Sequence, residues 1–136
     1  MKTKEKEVVY VGVDVSKDTL DAYRSDTGEH VKIENTEVDI NALCKTWKKK
    51  NVFVAMEATG GYETLLVKCL AKHEIDTAVL NPRQVRDFAK GIGLDAKTDP
   101  IDAQLISKFA SVVKPQAMPM ASDHEQKHTA LVTRRC

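Results

Sequence analysis

Two acids stand where an apolar strand should have none. Asp14 sits near the end of Val8 to Val15 (VVYVGVDV), and Glu57 follows Val52 to Met56 (VFVAM). Burying an unpaired carboxylate costs several kcal/mol, roughly 2–7 even for a neutral polar group. Acids ending two neighbouring strands would emerge at one sheet edge, where α/β folds bind ligands. Asp99 and Asp102 lie one helical turn apart and so share a side. Asp102 also heads the row Ile106, Phe109, Val113, which is expected to face inward. Carboxylates gathered in one pocket repel one another unless a cation offsets them, and Mg²⁺ or Mn²⁺ prefers such hard oxygen ligands. Two such ions, about 3.5–4 Å apart, activate a water or hydroxyl and stabilise the leaving oxygen in phosphodiester chemistry.

Each acid also has a plain structural role open to it. Asp14 would cap a turn before Ser16-Lys17, and Glu57 would bond the loop amides around Thr59-Gly60. Asp99 before Pro100 has the form of a helix N-cap, with Asp102 as its capping-box partner. No single acid is specific; four of them at two strand ends and one helix start are far more so.

The elements that would position them follow from periodicity. Val8–Val15 reads as a strand covered on both faces. Thr19–Arg24 and Glu29–Ile33 read as two more strands, joined through the turn signal Asp26-Thr27-Gly28. Thr36 suits an N-cap before Ile40, Leu43, Cys44 and Trp47, which fall at helical spacing. Val52–Met56 is a buried strand, and Gly60-Gly61 precedes an amphipathic helix carrying Leu65, Leu66, Cys69 and Leu70. Thr77–Leu80 forms a fifth strand, and Pro82 opens a short helix to about Lys90. Gly91 to Lys97 is a loop. A last helix is expected from Asp99-Pro100, with Ile101, Leu105, Ile106, Phe109, Val112 and Val113 inside. The order βββαβαβα, with one further short helix, predicts an α/β fold of ribonuclease-H-like type: a mixed five-stranded sheet with helices on both faces.

Bulk properties agree with one domain. At 136 residues, 42% hydrophobic and 30% charged, the chain has material for a single core. A net charge of +1 excludes a highly basic DNA-coating protein but not a local basic patch. Cys44, Cys69 and Cys136 are dispersed and odd in number, which is neither a disulfide framework nor a zinc site and suits a cytoplasmic protein. No apolar run reaches membrane-spanning length, and no signal peptide is visible. The domain is expected over 1–114. Pro115 and Pro119 mark 115–136 as a linker and the start of a helix leading to a missing C-terminal domain.

The segments GVDVSKDTLD (Gly12 to Asp21), MEATGGYE (Met56 to Glu63) and NPRQVRDFAKGIGLDAKTDPIDA (Asn81 to Ala103) resemble the N-terminal RuvC-like domain of the IS-one-ten transposases, the group that includes the Piv and MooV DNA invertases. The similarity spans about Val8 to Val113. In that family a D, E, D, D quartet falls on Asp14, Glu57, Asp99 and Asp102. The resemblance implies a divalent-metal-dependent recombinase that cuts and rejoins DNA, works as a homo-oligomer, and is associated with a guide RNA. It also implies a second, C-terminal domain whose serine completes a composite active site. This sequence ends before such a domain, so complete recombination by it alone is not expected.

Arg83, Arg86 and Lys90, at helical spacing, would form a basic ridge for phosphate positioning, although a solvated helix face explains them too. Lys97 matches the K-T-D pattern of the family and ranks above them. Lys45, Lys48, Lys49 and Lys50 end a helix, where cations favour its dipole. His124 and His128 lack a third ligand, and Tyr62 and Trp47 are isolated aromatics. Two other functions compete. GVDVSKDTLDAYRSDTG resembles the phosphate hairpin of an actin-like or sugar-kinase-like nucleotide-binding half, although Ser16-Lys17 replaces its small turn and Asp99 and Asp102 are left unexplained. A non-catalytic assembly module, docking through Gln126 to Cys136, is the third.

Overall fold

The structure, a computed structural model, describes residues 8–95 and 101–118. Five strands form one sheet in the order β3-β2-β1-β4-β5: β1 (Val9–Val15), β2 (Thr19–Arg24), β3 (His30–Glu34), β4 (Val52–Glu57) and β5 (Asp76–Leu80). β1, β2 and β3 pair antiparallel, whereas β1–β4 and β4–β5 pair parallel. The hairpin β1–β2 is closed by Ser16, whose amide donates to the Thr19 carbonyl at 2.9 Å. The next turn uses Gly28 at φ 74°, a conformation glycine adopts without a Cβ penalty.

Side chains alternate across the sheet, so β1, β4 and β5 feed a core on each face, whereas β2 and β3 feed one only. On one face Val11, Val13, Val54 and Met56 pack on α1 (Glu37–Trp47) and α2 (Thr64–Lys72), with Ile40, Trp47, Leu66 and Leu70 fully covered. Thr36 caps α1 as expected, its hydroxyl accepting from the Asp39 amide at 3.3 Å. Cys44 and Cys69 are free thiols in this core, and burial pushes the Cys44 thiol up to about 12. On the other face Phe53, Ala55, Ala78 and Leu80 pack on α3 (Pro82–Gly91) and α4 (Ala103–Val113).

α4 lies directly on β1 because β1 has a glycine there. A Cβ on Gly12 would sit 2.1 Å from the Ala103 carbonyl oxygen and 2.4 Å from the Ser107 nitrogen. Ser107 donates its hydroxyl proton to the Tyr10 carbonyl at 2.8 Å, fixing the helix along the strand. This contact corrects two expectations. The helix starts at Ala103 and not at Asp99-Pro100, and Asp102 is itself the N-cap; Asp99 and Pro100 lie outside the described residues. Its inner seam is made of the small residues Ala103, Ser107 and Ala110, all buried, which rotates the stripe and leaves Val112 and Val113 exposed.

The part of the expected linker within the described residues packs on the domain. Ala117 rests against the second core, and the Met118 amide donates to the Thr77 carbonyl at 2.7 Å. Among the described residues no helix is long and apolar enough to cross a membrane.

Candidate active site

Strand register builds the acidic site. On the α4 face, Asp14 of β1 stands opposite Asp21 of β2, and Asp21 stands opposite Lys32 of β3. Val13 pairs with Met56, so the next position along the parallel ladder sets Asp14 beside Glu57, with about 4.8 Å between strands. Gly12 and Asp14 share a face, and α4 begins against Gly12; Asp102, at the head of that helix, is therefore brought to the same edge.

The electrostatics report this convergence. Partial burial raises the pKa of Asp14, and the negative charges of Asp21 and Asp102 raise it further, with Lys32 pulling the other way. Burial raises Glu57 as well; Arg86 lowers it and Asp14 raises it. Asp14, Glu57 and Asp102 are thus brought together, and Asp21 joins them. Asp21 was not legible as a candidate because it alternates with Leu20 and Ala22 like any surface position of a half-buried strand. Only the closed Ser16–Thr19 turn, which sets Asp14 against Asp21, gives it away.

Asp14 is exposed at the surface and not buried in the strand, because α4 begins level with Gly12 and leaves the next outward position uncovered. The carboxyl still loses part of its hydration, which is why burial leads the causes of its shift.

The plain structural roles fall to other residues. The turn after Asp14 is capped by Ser16, whose hydroxyl lies 3.3 Å from the Thr19 amide. The loop after Glu57 is held by Glu63, which accepts from the amides of Thr59 at 3.0 Å and Gly61 at 3.2 Å and from the Thr59 hydroxyl. Those bonds hold Glu63 below the usual carboxylate range, the Thr59 hydroxyl contributing most. Glu57 is spared that task, and its Oε2 is buried with no hydrogen-bond partner among the described residues. Asp102 does cap, accepting from the Leu105 amide at 2.9 Å through Oδ1.

Asn35 is a residue that sequence reasoning missed. Its side-chain amide donates to the carbonyls of Ser16 at 3.0 Å and Tyr62 at 3.1 Å, tying the loop after β1 to the loop after β4. Nothing in the local sequence announces it, since its two partners are 19 and 27 residues away.

A family model described as a transposase, of the DEDD type found in IS110 (IS-one-ten) elements, matches residues 11–135. The chain belongs to that transposase family. It is 28% identical over 133 residues to the pilin gene-inverting proteins of Moraxella lacunata and Moraxella bovis, with 93% of this chain and 41% of each relative covered. The chain thus spans about two fifths of the length of those relatives. Among solved structures it is similar to RuvC of Thermus thermophilus, alone and in complex with a Holliday junction substrate. The TM-score is 0.54 in both cases, at 13% and 12% identity, covering 81% and 82% of this chain and 99% and 100% of those chains. That likeness establishes the ribonuclease-H-like fold as the RuvC-like form of it.

Within this transposase-family domain the basic candidates separate. Arg86 stands close enough to Glu57 to lower its pKa. Arg83 and Lys90 are exposed on α3, seven positions apart and so about 10 Å from each other along the helix. Lys97 and Asp99 lie outside the described residues, as do His124 and His128. Among the described residues no three carboxylate, histidine or cysteine side chains already surround one point. The donor chemistry nonetheless suits a hard cation: a buried Glu57 oxygen unpartnered among the described residues, and an Asp14 carboxyl whose pKa is raised by burial and by the charges of Asp21 and Asp102.

Proposed function

We propose that this chain is the N-terminal catalytic domain of a DEDD transposase or site-specific recombinase, acting in divalent-metal-dependent cleavage and rejoining of DNA strands. Asp14, Glu57, Asp99 and Asp102 hold Mg²⁺ or Mn²⁺, as two ions. The observation that carries this reading is the Glu57 Oε2, buried beside Asp14 without a partner among the described residues, while Glu63 takes over the loop amides. A native carboxylate left in that state wants a ligand, because an unsatisfied buried acceptor costs about 1–3 kcal/mol, more when charged.

The bound cations would activate the attacking oxygen and stabilise the leaving one. The chain's own residues do the positioning. β1 and β4 present Asp14 and Glu57 side by side, and α4 presents Asp102 with one carboxylate oxygen fixed on its own N-terminus. Arg86 tempers the negative charge at Glu57, and with Arg83, Lys90 and Lys97 it would meet backbone phosphates. Residues 1–114 form the catalytic body and 115–136 lead toward a further domain, whose serine completes the active site. DNA is the substrate; a guide RNA and assembly into a homo-oligomer belong to the whole protein.

Calorimetry with Mn²⁺ tests the metal site. The wild type should bind and Asp14→Ala should not; equal binding by both, or none by either, would sink the assignment. The actin-like alternative is disfavoured by the β1–β2 turn, where the Ser16 amide is spent on the Thr19 carbonyl and no glycine opens the turn.

A further inference from the structure

The charges of this nearly neutral chain are segregated along the strands. The acids gather where β1 and β4 end, and lysines gather where β4 and β5 begin. Lys45, Lys48, Lys49 and Lys50 end α1 or follow it, and Lys68 and Lys72 lie on α2. His73, the C-cap of α2, is held to α1 by a 3.0 Å contact between its Nε2 and the Asn41 Oδ1. Burial and the charges of Lys48, Lys72 and Lys45 lower its pKa, so cations from both helices converge on one imidazole. A cleft of about 200 Å³ opens there, lined by Lys48, Lys50, Asn51, His73, Glu74 and Asp76.

Helix dipoles alone do not account for this density. α1 and α2 both end at this edge, each contributing roughly half a negative charge. Adding Glu74, Asp76 and the Asp26 that faces Lys50, the local negative charge reaches about four units against six lysines. Lys50 is paired with Asp26 at 3.4 Å, and among the described residues the other five make no ion pair. All six are exposed. A surplus of about two positive charges on two adjacent helices is self-repelling and favours an anionic partner of extended form.

We propose that this end of the molecule binds the phosphodiester backbone of a second nucleic-acid segment, distinct from the one engaged by the carboxylates. The inference rests on the nucleic-acid function proposed above and adds a contact to it. Val52 and Glu57 mark the two ends of β4, about 17 Å apart at a strand's rise. The lysines ride on α1 and α2, whereas Asp102 belongs to α4 on the opposite face of the sheet. A straight backbone seated on the acids therefore does not reach them.

Fluorescence anisotropy with a duplex DNA and a single-stranded RNA of equal length, across about 50–200 mM salt, tests this. The variant Lys45→Glu/Lys48→Glu/Lys72→Glu should bind about tenfold or more weakly, with a salt slope shallower by about two to three. The milder Lys→Gln triple at the same positions should fall between. Mn²⁺ binding should be unchanged in both. Loss on duplex alone assigns the surface to DNA, loss on RNA alone assigns it to RNA, and loss on both assigns it to either backbone. Wild-type affinity and slope on both ligands would overturn the inference while leaving the metal site standing. No binding of either ligand by the wild type would overturn it together with the nucleic-acid reading. Failure of Mn²⁺ binding alone would strike only the metal assignment.

Discussion

Gly12 and Ala103 touch backbone to backbone: a Cβ on Gly12 would stand 2.1 Å from the Ala103 carbonyl oxygen. Ala103 follows Asp102 and Gly12 precedes Asp14 by two residues, so this single contact sets the distance between two of the proposed metal ligands. Gly12→Ala must push α4 off β1. Overpacking of this kind costs about 1–3 kcal/mol, and the displaced helix should also weaken Mn²⁺ binding. Urea unfolding and calorimetry on the same variant check both. Full-affinity metal binding in a destabilised variant would separate the packing role from the site.

The acids themselves should destabilise the metal-free domain. Asp14 and Glu57 both have folded pKa values raised above the ordinary ones of 3.8 and 4.5, burial being the main cause. The folded state then holds more protons than the unfolded one just above those values. Stability from these groups is fully present below the unfolded pKa and is lost as pH rises through the folded pKa. Asp14→Asn and Glu57→Gln should therefore raise the Tm of metal-free protein by a few degrees at pH 7, and not at pH 3. Saturating Mn²⁺ should stabilise the wild type and not the variants.

Asn35→Asp keeps the shape of the side chain and removes both donors to Ser16 and Tyr62. Two lost hydrogen bonds, with a carboxylate now facing two carbonyls, should cost about 2 kcal/mol or more. Because these bonds join the loops that follow β1 and β4, metal affinity should fall as well. Asn35→Ala, which loses the bonds without adding charge, should lower stability less. Thermal melts and Mn²⁺ titration of the two variants give the comparison.

Glu63 and Glu57 should respond in opposite ways to neutralisation. Glu63→Gln gives up charge-assisted bonds to the Thr59 and Gly61 amides and should destabilise by about 1–2 kcal/mol with little effect at the metal. Because hydrogen bonding holds the Glu63 pKa down, its contribution is present at neutral pH and is lost as pH falls through the folded pKa. Glu57→Gln should abolish metal binding without destabilising the apo domain. Denaturant midpoints measured at pH 7 and pH 4 distinguish them.

The sequence by itself determined the elements, because periodicity and caps are local. Alternating and continuous apolar runs located the five strands, Thr36 and Pro82 marked two helix starts, and two apolar strands ending in acid singled out Asp14 and Glu57. It did not determine where α4 begins. Asp99-Pro100 and Asp102 are both good starts locally, and only the contact with Gly12 decides between them, with the seam of Ala103, Ser107 and Ala110 turning Val112 and Val113 outward. Tertiary structure also chose which acid serves the loop and which is left unpartnered: Glu63 and Glu57 lie six residues apart, and the chain path after Gly61 makes Glu63 the one that reaches the amides. Asp21 and Asn35 came from the fold alone, since strand register and a bridge across 27 residues are long-range relations that no local pattern encodes.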